Sequence, residues 1–180
     1  MEIYCLFCEP GKGEYVRLAA EILYDCRAIY PKQVQHRRKT AEKSKKNGGK
    51  EEPRDVLRNL MPGYVFLYFE GQPPDVSYMN GMMGVVRCLS HVAGATREYE
   101  LTGTDREFAL MLLSKDGVLG KTKVYEVGDR IQICDGAFSG VSTTILKVDR
   151  RNGCMQVEIP FANQLVKTWL QYEIVKAEDP

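Results

Sequence analysis

Histidine is scarce in this chain: His36 and His91 are the only two among 180 residues. A nucleophile–base pair would have to use one of them, and no G-x-S-x-G elbow is present. No Cys or carboxylate stands at metal-ligand spacing from His36, which sits against Arg37-Arg38-Lys39. His91 follows a strand candidate in an expected turn. The chain therefore lacks the usual tools of catalysis, and neither a catalytic residue, a metal nor a cofactor is expected. No apolar run approaches the ~20 residues of a membrane span. Met1–Cys8 has no basic segment ahead of a long apolar stretch, so no signal peptide is expected. These absences predict a cytoplasmic protein without a membrane partner. A net charge of +1 gives no global attraction to nucleic acid. No internal repeat is evident.

Six cysteines are scattered through apolar segments, which suits reduced, buried thiols better than a disulfide framework. Cys5-Leu6-Phe7-Cys8 is a C-x-x-C. In an extended strand its two thiols point to opposite faces, and no second pair follows at zinc-site spacing. Gly11-Lys12-Gly13 lacks the last glycine and the Lys-Ser/Thr of a phosphate loop, and reads as a tight turn.

What is there is a globular composition, 44% hydrophobic and 27% charged. Ile3–Cys8 reads as a strand buried on both faces. From Lys12 to Tyr24, Tyr15, Val16, Ala19, Ala20, Leu23 and Tyr24 recur at helical spacing. Ala28–Val34 is a strand candidate interrupted by Pro31. His36–Arg58 is polar, with Arg37, Arg38, Lys39, Lys43, Lys45, Lys46 and Lys50, and reads as a solvated basic loop suited to a nucleic-acid backbone. Tyr64–Phe69 is a strong strand. Tyr64, Phe66 and Tyr68 share a face that could stack on RNA or pack under helices, and the apolar character of both faces favours a core role. Val76–Met83 reads as a short helix and Val85–Leu89 as a strand. Thr104-Asp105-Arg106-Glu107 has the capping-box pattern, predicting a helix to about Ser114 with Phe108 and Leu112 inward. This is a compact α+β unit.

Lys115–Lys123, with Gly117 and Gly120, reads as a linker. Beyond Val124 the period is two: Ile131 and Ile133, then Met155, Val157 and Ile159, alternate with polar residues. Asn152-Gly153 is a type I′ hairpin signal. Short strands and short turns predict a small β-barrel. The expected domains are thus 1–114 with a basic loop at 37–58, a linker 115–123, and 124–180.

Several passages together resemble the NusG family. Ile3-Tyr4-Cys5-Leu6-Phe7 with Gly11-Lys12-Gly13-Glu14 is similar to its opening strand and helix. Met61-Pro62-Gly63-Tyr64-Val65-Phe66-Leu67 resembles its Phe-Pro-Gly-Tyr-Val signature, and Gly84-Val85-Val86-Arg87 the strand that follows. Val127-Gly128-Asp129-Arg130-Ile131 with Asp135–Gly140 is similar to the start of a KOW motif. The resemblance covers nearly the whole chain, in order. It implies an N-terminal NGN domain, an antiparallel sheet with helices in a ferredoxin- or RRM-like arrangement, and a C-terminal SH3-like KOW barrel. It implies a monomeric transcription elongation factor whose NGN domain docks on the β′ clamp helices of bacterial RNA polymerase. The polymerase-binding residues so implied are Tyr4, Leu60, Met61, Pro62, Gly63 and Tyr64, expected as a partly exposed apolar patch.

Three departures stand out. Ile3 replaces the usual Trp, Thr143 falls where a KOW glycine is expected, and Phe161-Ala162-Asn163 replaces the Phe-Gly-Arg of the ribosomal-protein and Rho surface. Ile145–Arg151 and Glu173–Lys176 resemble the KOW domain of LoaP-type antiterminators, which recognise a nascent RNA hairpin. Lys147, Arg150 and Arg151, around the hairpin turn, are the expected RNA contacts, and non-template DNA is a further implied partner. A housekeeping NusG that links polymerase to a small-subunit ribosomal protein or to Rho is the alternative. An RNA-binding module acting off the polymerase is another.

Overall fold

The computed structural model describes residues 1–37, 54–90, 98–127, 130–135, 138 and 143–175; the side chains of residues 36, 37, 54, 127, 130 and 135 lie outside that description. The first half is a four-stranded antiparallel sheet in the order β2-β5-β1-β6. Its strands are β1 (Glu2–Cys8), β2 (Arg27–Ile29), β5 (Tyr64–Phe69) and β6 (Val85–Cys88). One face is covered by α1 (Gly13–Tyr24) and α2 (Val76–Asn80). Val16 and Ala20 of α1 and Met79 of α2 pack there on Leu6, Cys8, Val65, Leu67 and Phe69. The other face takes α3 (Gly103–Ser114), whose Phe108, Ala109 and Leu112 are buried with Ile3, Cys5, Phe66 and Tyr68. Because both faces are covered, β1 and β5 are apolar without alternation, and every residue of β5 is buried. Cys5 and Cys8 fall into the two separate clusters, as alternation along the strand requires.

Several local expectations are met in altered form. Val16 and Ala20 seat the α1 stripe with Ala19 and Tyr24 packed partly buried beside them, while Tyr15 and Leu23 are exposed. The helix is wedged at its start by the Tyr30 ring, which lies so close to Gly13 that a Cβ would stand 2.5 Å from it. Pro31 splits the expected strand into β2 and β3 (Lys32–Arg37). The expected loop 36–58 is shorter than its polarity suggests, since β4 (Arg54–Asn59) pairs antiparallel with β3 as far as Arg37↔Arg54. Exposed hairpin strands tolerate polar residues on both faces, and composition could not separate them from a loop. The capping box does not form: Thr102 is the N-cap, without a side-chain bond. Thr104 falls inside the first turn and Asp105 is buried.

The stretch 115–123 is not a bare tether. Asp116 (φ 51°) and Gly117 (φ 72°) turn the chain back after α3, with Gly117 N–H donating to Leu112 O at 2.8 Å. The chain then forms β7 (Val118–Leu119), parallel to β3, and Leu119 is buried. The second half is a five-stranded sheet in the order β10-β11-β12-β8-β9. Its members are β8 (Thr122–Val127), β9 (Arg130–Asp135), β10 (Thr144–Asp149), β11 (Cys154–Phe161) and β12 (Gln164–Ile174). Met155, Val157 and Ile159 point inward as their alternation predicts.

The type I′ turn is displaced from its expected place. At Arg150–Gly153 only Gly153 has positive φ, and the Asp149 carboxylate caps the turn by accepting from Asn152 N–H at 3.1 Å and Nδ2–H at 2.7 Å. The two-residue turn with both φ positive is instead Ala162 (47°) and Asn163 (59°), joining β11 to β12. Among the described residues no helix is long and apolar enough to cross a membrane.

Candidate functional site

The two halves share one apolar core. Phe66 of β5 and Phe108 of α3 meet Phe161, from the end of β11, at 5.4 and 6.0 Å between ring centroids. Phe108 also meets Phe138 of the barrel at 5.5 Å. Tyr64 stands edge-on to Phe161 at 6.1 Å and tilts against Phe7 at 5.2 Å. Edge-on and tilted pairs set the positive rim of one ring toward the negative face of the other, which adds to the gain from burial.

Polar groups fix the register of this seam. Ala162 N–H donates to Asp105 Oδ2 at 2.9 Å, and Gln164 Nε2–H to Tyr64 Oη at 3.1 Å. The Thr168 hydroxyl donates to the Leu60 carbonyl, and Gln171 N–H donates to Gln33 Oε1 at 3.0 Å. Gln33 is 1% exposed, and among the described residues its Nε2 meets no hydrogen-bond partner.

The seam decides where the six expected polymerase-binding residues lie. Leu60, Met61 and Tyr64 are buried in the shared core, not partly exposed, because β12 and the end of β11 lie over them. Burial raises the Tyr64 phenol above its ordinary value. Tyr4 is on the opposite face of the sheet, edge-on to Phe69 at 5.8 Å, with its hydroxyl donating to Glu2 Oε2. One strand cannot send Tyr4 and the face of Tyr64 to the same side: Tyr4 pairs with Leu67, whereas Tyr64 pairs with Phe7. Pro62 is exposed beside them. Gly63 (φ 89°) makes the turn, its carbonyl accepting from Cys8 N–H at 2.7 Å.

Of the expected nucleic-acid contacts, Arg38, Lys39, Lys43, Lys45 and Lys46 lie outside the described residues, as does the Arg37 side chain. Lys147, Arg150 and Arg151 are exposed together at the β10–β11 end of the barrel. Arg150 is ion-paired with Glu126.

The pattern reading missed the barrel's half of the seam and one further residue, Trp169. Along β12, Val166, Thr168 and Leu170 are buried, while Leu165, Lys167 and Trp169 alternate outward. That alternation was visible in the sequence, and it sets the only tryptophan on the polar face. Trp169 lines a groove of about 400 Å³ with Lys167 and Asp149 of the barrel and Arg58, Asn59 and Pro62 of the first half.

No family model matches the chain, and no curated protein matches it. A solved structure of Thermotoga maritima NusG, concerned with domain interaction in that protein, is similar over 94% of this chain and 93% of that one. The TM-score is 0.50 and the identity 18%. The chain has the NusG fold. At this identity the likeness speaks for architecture: an α+β unit followed by a small β-barrel, the arrangement that the motif order predicts.

Proposed function

We propose that this protein is a non-enzymatic transcription elongation factor that docks on bacterial RNA polymerase through the face of β5 and α3 now covered by the barrel. One observation carries the reading. Phe66, Phe108 and Tyr64 form an apolar surface whose cover is a separate sheet, held by a seam of a few polar contacts. Apolar surfaces of this size mark partner sites once uncovered. The resemblance of Met61–Leu67 to the family's signature supports the β′ clamp helices as the partner. Docking then requires the barrel to leave, and the population of the open form sets the apparent affinity.

The finer reading, a LoaP-type processive antiterminator that recognises nascent leader RNA, is supported by the Ile145–Arg151 resemblance. The exposed cluster of Lys147, Arg150 and Arg151 supports it too.

Binding of the full chain to immobilised core polymerase tests the docking face. Phe161→Ala should bind more tightly than wild type, and adding Tyr64→Ala with Met61→Ala should weaken it by ~1–3 kcal/mol. A folded triple variant that binds as tightly as Phe161→Ala alone would refute the docking face. Replacing Lys147, Arg150 and Arg151 by Ala should abolish leader-hairpin binding and spare polymerase binding. No RNA binding at low salt, with tight binding to the small-subunit ribosomal protein, would identify a housekeeping factor.

A further inference from the structure

We propose that the groove between β4 and the outer face of the barrel holds an unpaired base of single-stranded RNA, stacked on Trp169. The proposal rests on the RNA-recognition reading above and gives it a site that the basic hairpin alone does not supply. Trp169 is 39% exposed on a strand whose inward residues are buried, and it lines the groove. An exposed aromatic face accepts any base, and each stacked base strengthens binding by roughly ten- to a hundredfold.

Cations flank the ring from both halves. Lys167 stands two residues away on the same face of β12. Arg58 lies opposite Gln33 in the β3–β4 register. It therefore leaves the hairpin on the face that Gln33 turns toward β12. The one carboxylate of the lining, Asp149, is engaged by both N–H groups of Asn152. Lys167 Nζ also stands 3.6 Å from Glu158 Oε1, a partly exposed pair that a phosphate can displace, so Arg58 and Lys167 are the cations the lining offers to a phosphate-bearing strand. Asn59 supplies an amide able to meet a base edge. The volume, about 400 Å³, falls within the range of small-ligand pockets.

The groove continues toward the basic hairpin. Lys147 pairs with Gln156 and Gln156 with Trp169, so the three form one row across β10, β11 and β12. A strand leaving the stacked base along this row passes Gln156 and Lys147 toward Arg150 and Arg151. Because the walls come from both halves, the complete groove exists only while the barrel is closed. RNA bound there and the closed form therefore stabilise each other. RNA held in this groove therefore competes with docking, so the site recognises leader RNA before the chain engages polymerase, and release of the RNA permits docking.

The only tryptophan of the chain is its own reporter. The full chain is titrated with an unpaired RNA of about eight nucleotides, following Trp169 emission and the anisotropy of the labelled strand. Saturating RNA should quench the emission, and Trp169→Leu should weaken binding at least tenfold. Arg58→Gln and Lys167→Gln should each weaken binding and flatten its salt dependence. Phe161→Ala, which opens the barrel, should weaken it as well. Unchanged emission at saturation, or wild-type affinity in Trp169→Leu, overturns the stacking site. If binding is then lost with the Lys147, Arg150 and Arg151 replacements, RNA recognition itself still stands. Wild-type affinity in Arg58→Gln overturns the composite groove. Absence of any RNA binding at low salt refutes both readings.

Discussion

Replacing Phe161 by Ala isolates the closure of the barrel from the folding of either half. Phe161 is 3% exposed and touches rings of Tyr64, Phe66 and Phe108, all contributed by the other half. Phe→Ala in a packed core costs about 3–5 kcal/mol. In the open form the same ring would face water, so its removal costs little there, and nearly the whole loss falls on the closed form. Even the lower figure moves the closed-to-open ratio by roughly a hundredfold, since each 1.4 kcal/mol is a factor of ten. The assay is tryptic cleavage after Lys115 and Lys121, which flank β7 on the strand's way between the halves. When opening is fast relative to cutting, the rate follows the open population. Cleavage should accelerate by about that factor, with both products remaining folded. Leu165→Ala, on the same hairpin but 65% exposed, should leave the rate unchanged. If Phe161→Ala lowers a single unfolding transition and cleavage at these lysines awaits that transition, the halves are one cooperative unit. The argument for a releasable cover would then be wrong.

Two further outcomes test the local structure. Gly63→Ala should destabilise the chain by about 1–3 kcal/mol in urea unfolding, because φ is 89° and a Cβ would meet Cys8 O at 3.2 Å and the Phe7 ring at 3.3 Å. A neutral result would mean that the turn after Pro62 relaxes freely. Burial pushes the thiols of Cys8 and Cys88 up from 9.0 to about 12. The folded state therefore keeps protons that the unfolded chain gives up near pH 9. Stability should be fully present below pH 9 and fall as pH rises toward 12, by up to about 1.4 kcal/mol per pH unit for each thiol. A urea midpoint that stays level between pH 9 and 11 would contradict the burial of these two groups.

Local pattern was a good guide where a segment's own burial decides the outcome. The apolar runs of β1 and β5, the period-two alternation of β11 and the turn at Gly11–Gly13 were legible. Each states how a short segment meets a core, whatever that core is. The order of motifs likewise predicted an α+β unit followed by a barrel. Pattern failed where two segments compete for the same polar group or the same face. Thr104 carried the capping signal, yet the chain starts α3 at Gly103, and Asp105 is the residue that accepts the Ala162 amide.

What the sequence determined by itself is which residues are apolar, in what period and with which turn chemistry, and hence the apolar strands and the helices. What only the tertiary structure decided is which apolar faces meet each other. Leu60, Met61 and Tyr64 read as a surface patch because a signature shows that a face is apolar and not what lies over it. The cover, Phe138 and the Phe161-Ala162 hairpin tip, comes from about a hundred residues further along the chain. Trp169, Arg58 and Lys167 share a groove for the same reason. Burial is a property of pairs of surfaces, and a sequence describes each surface singly.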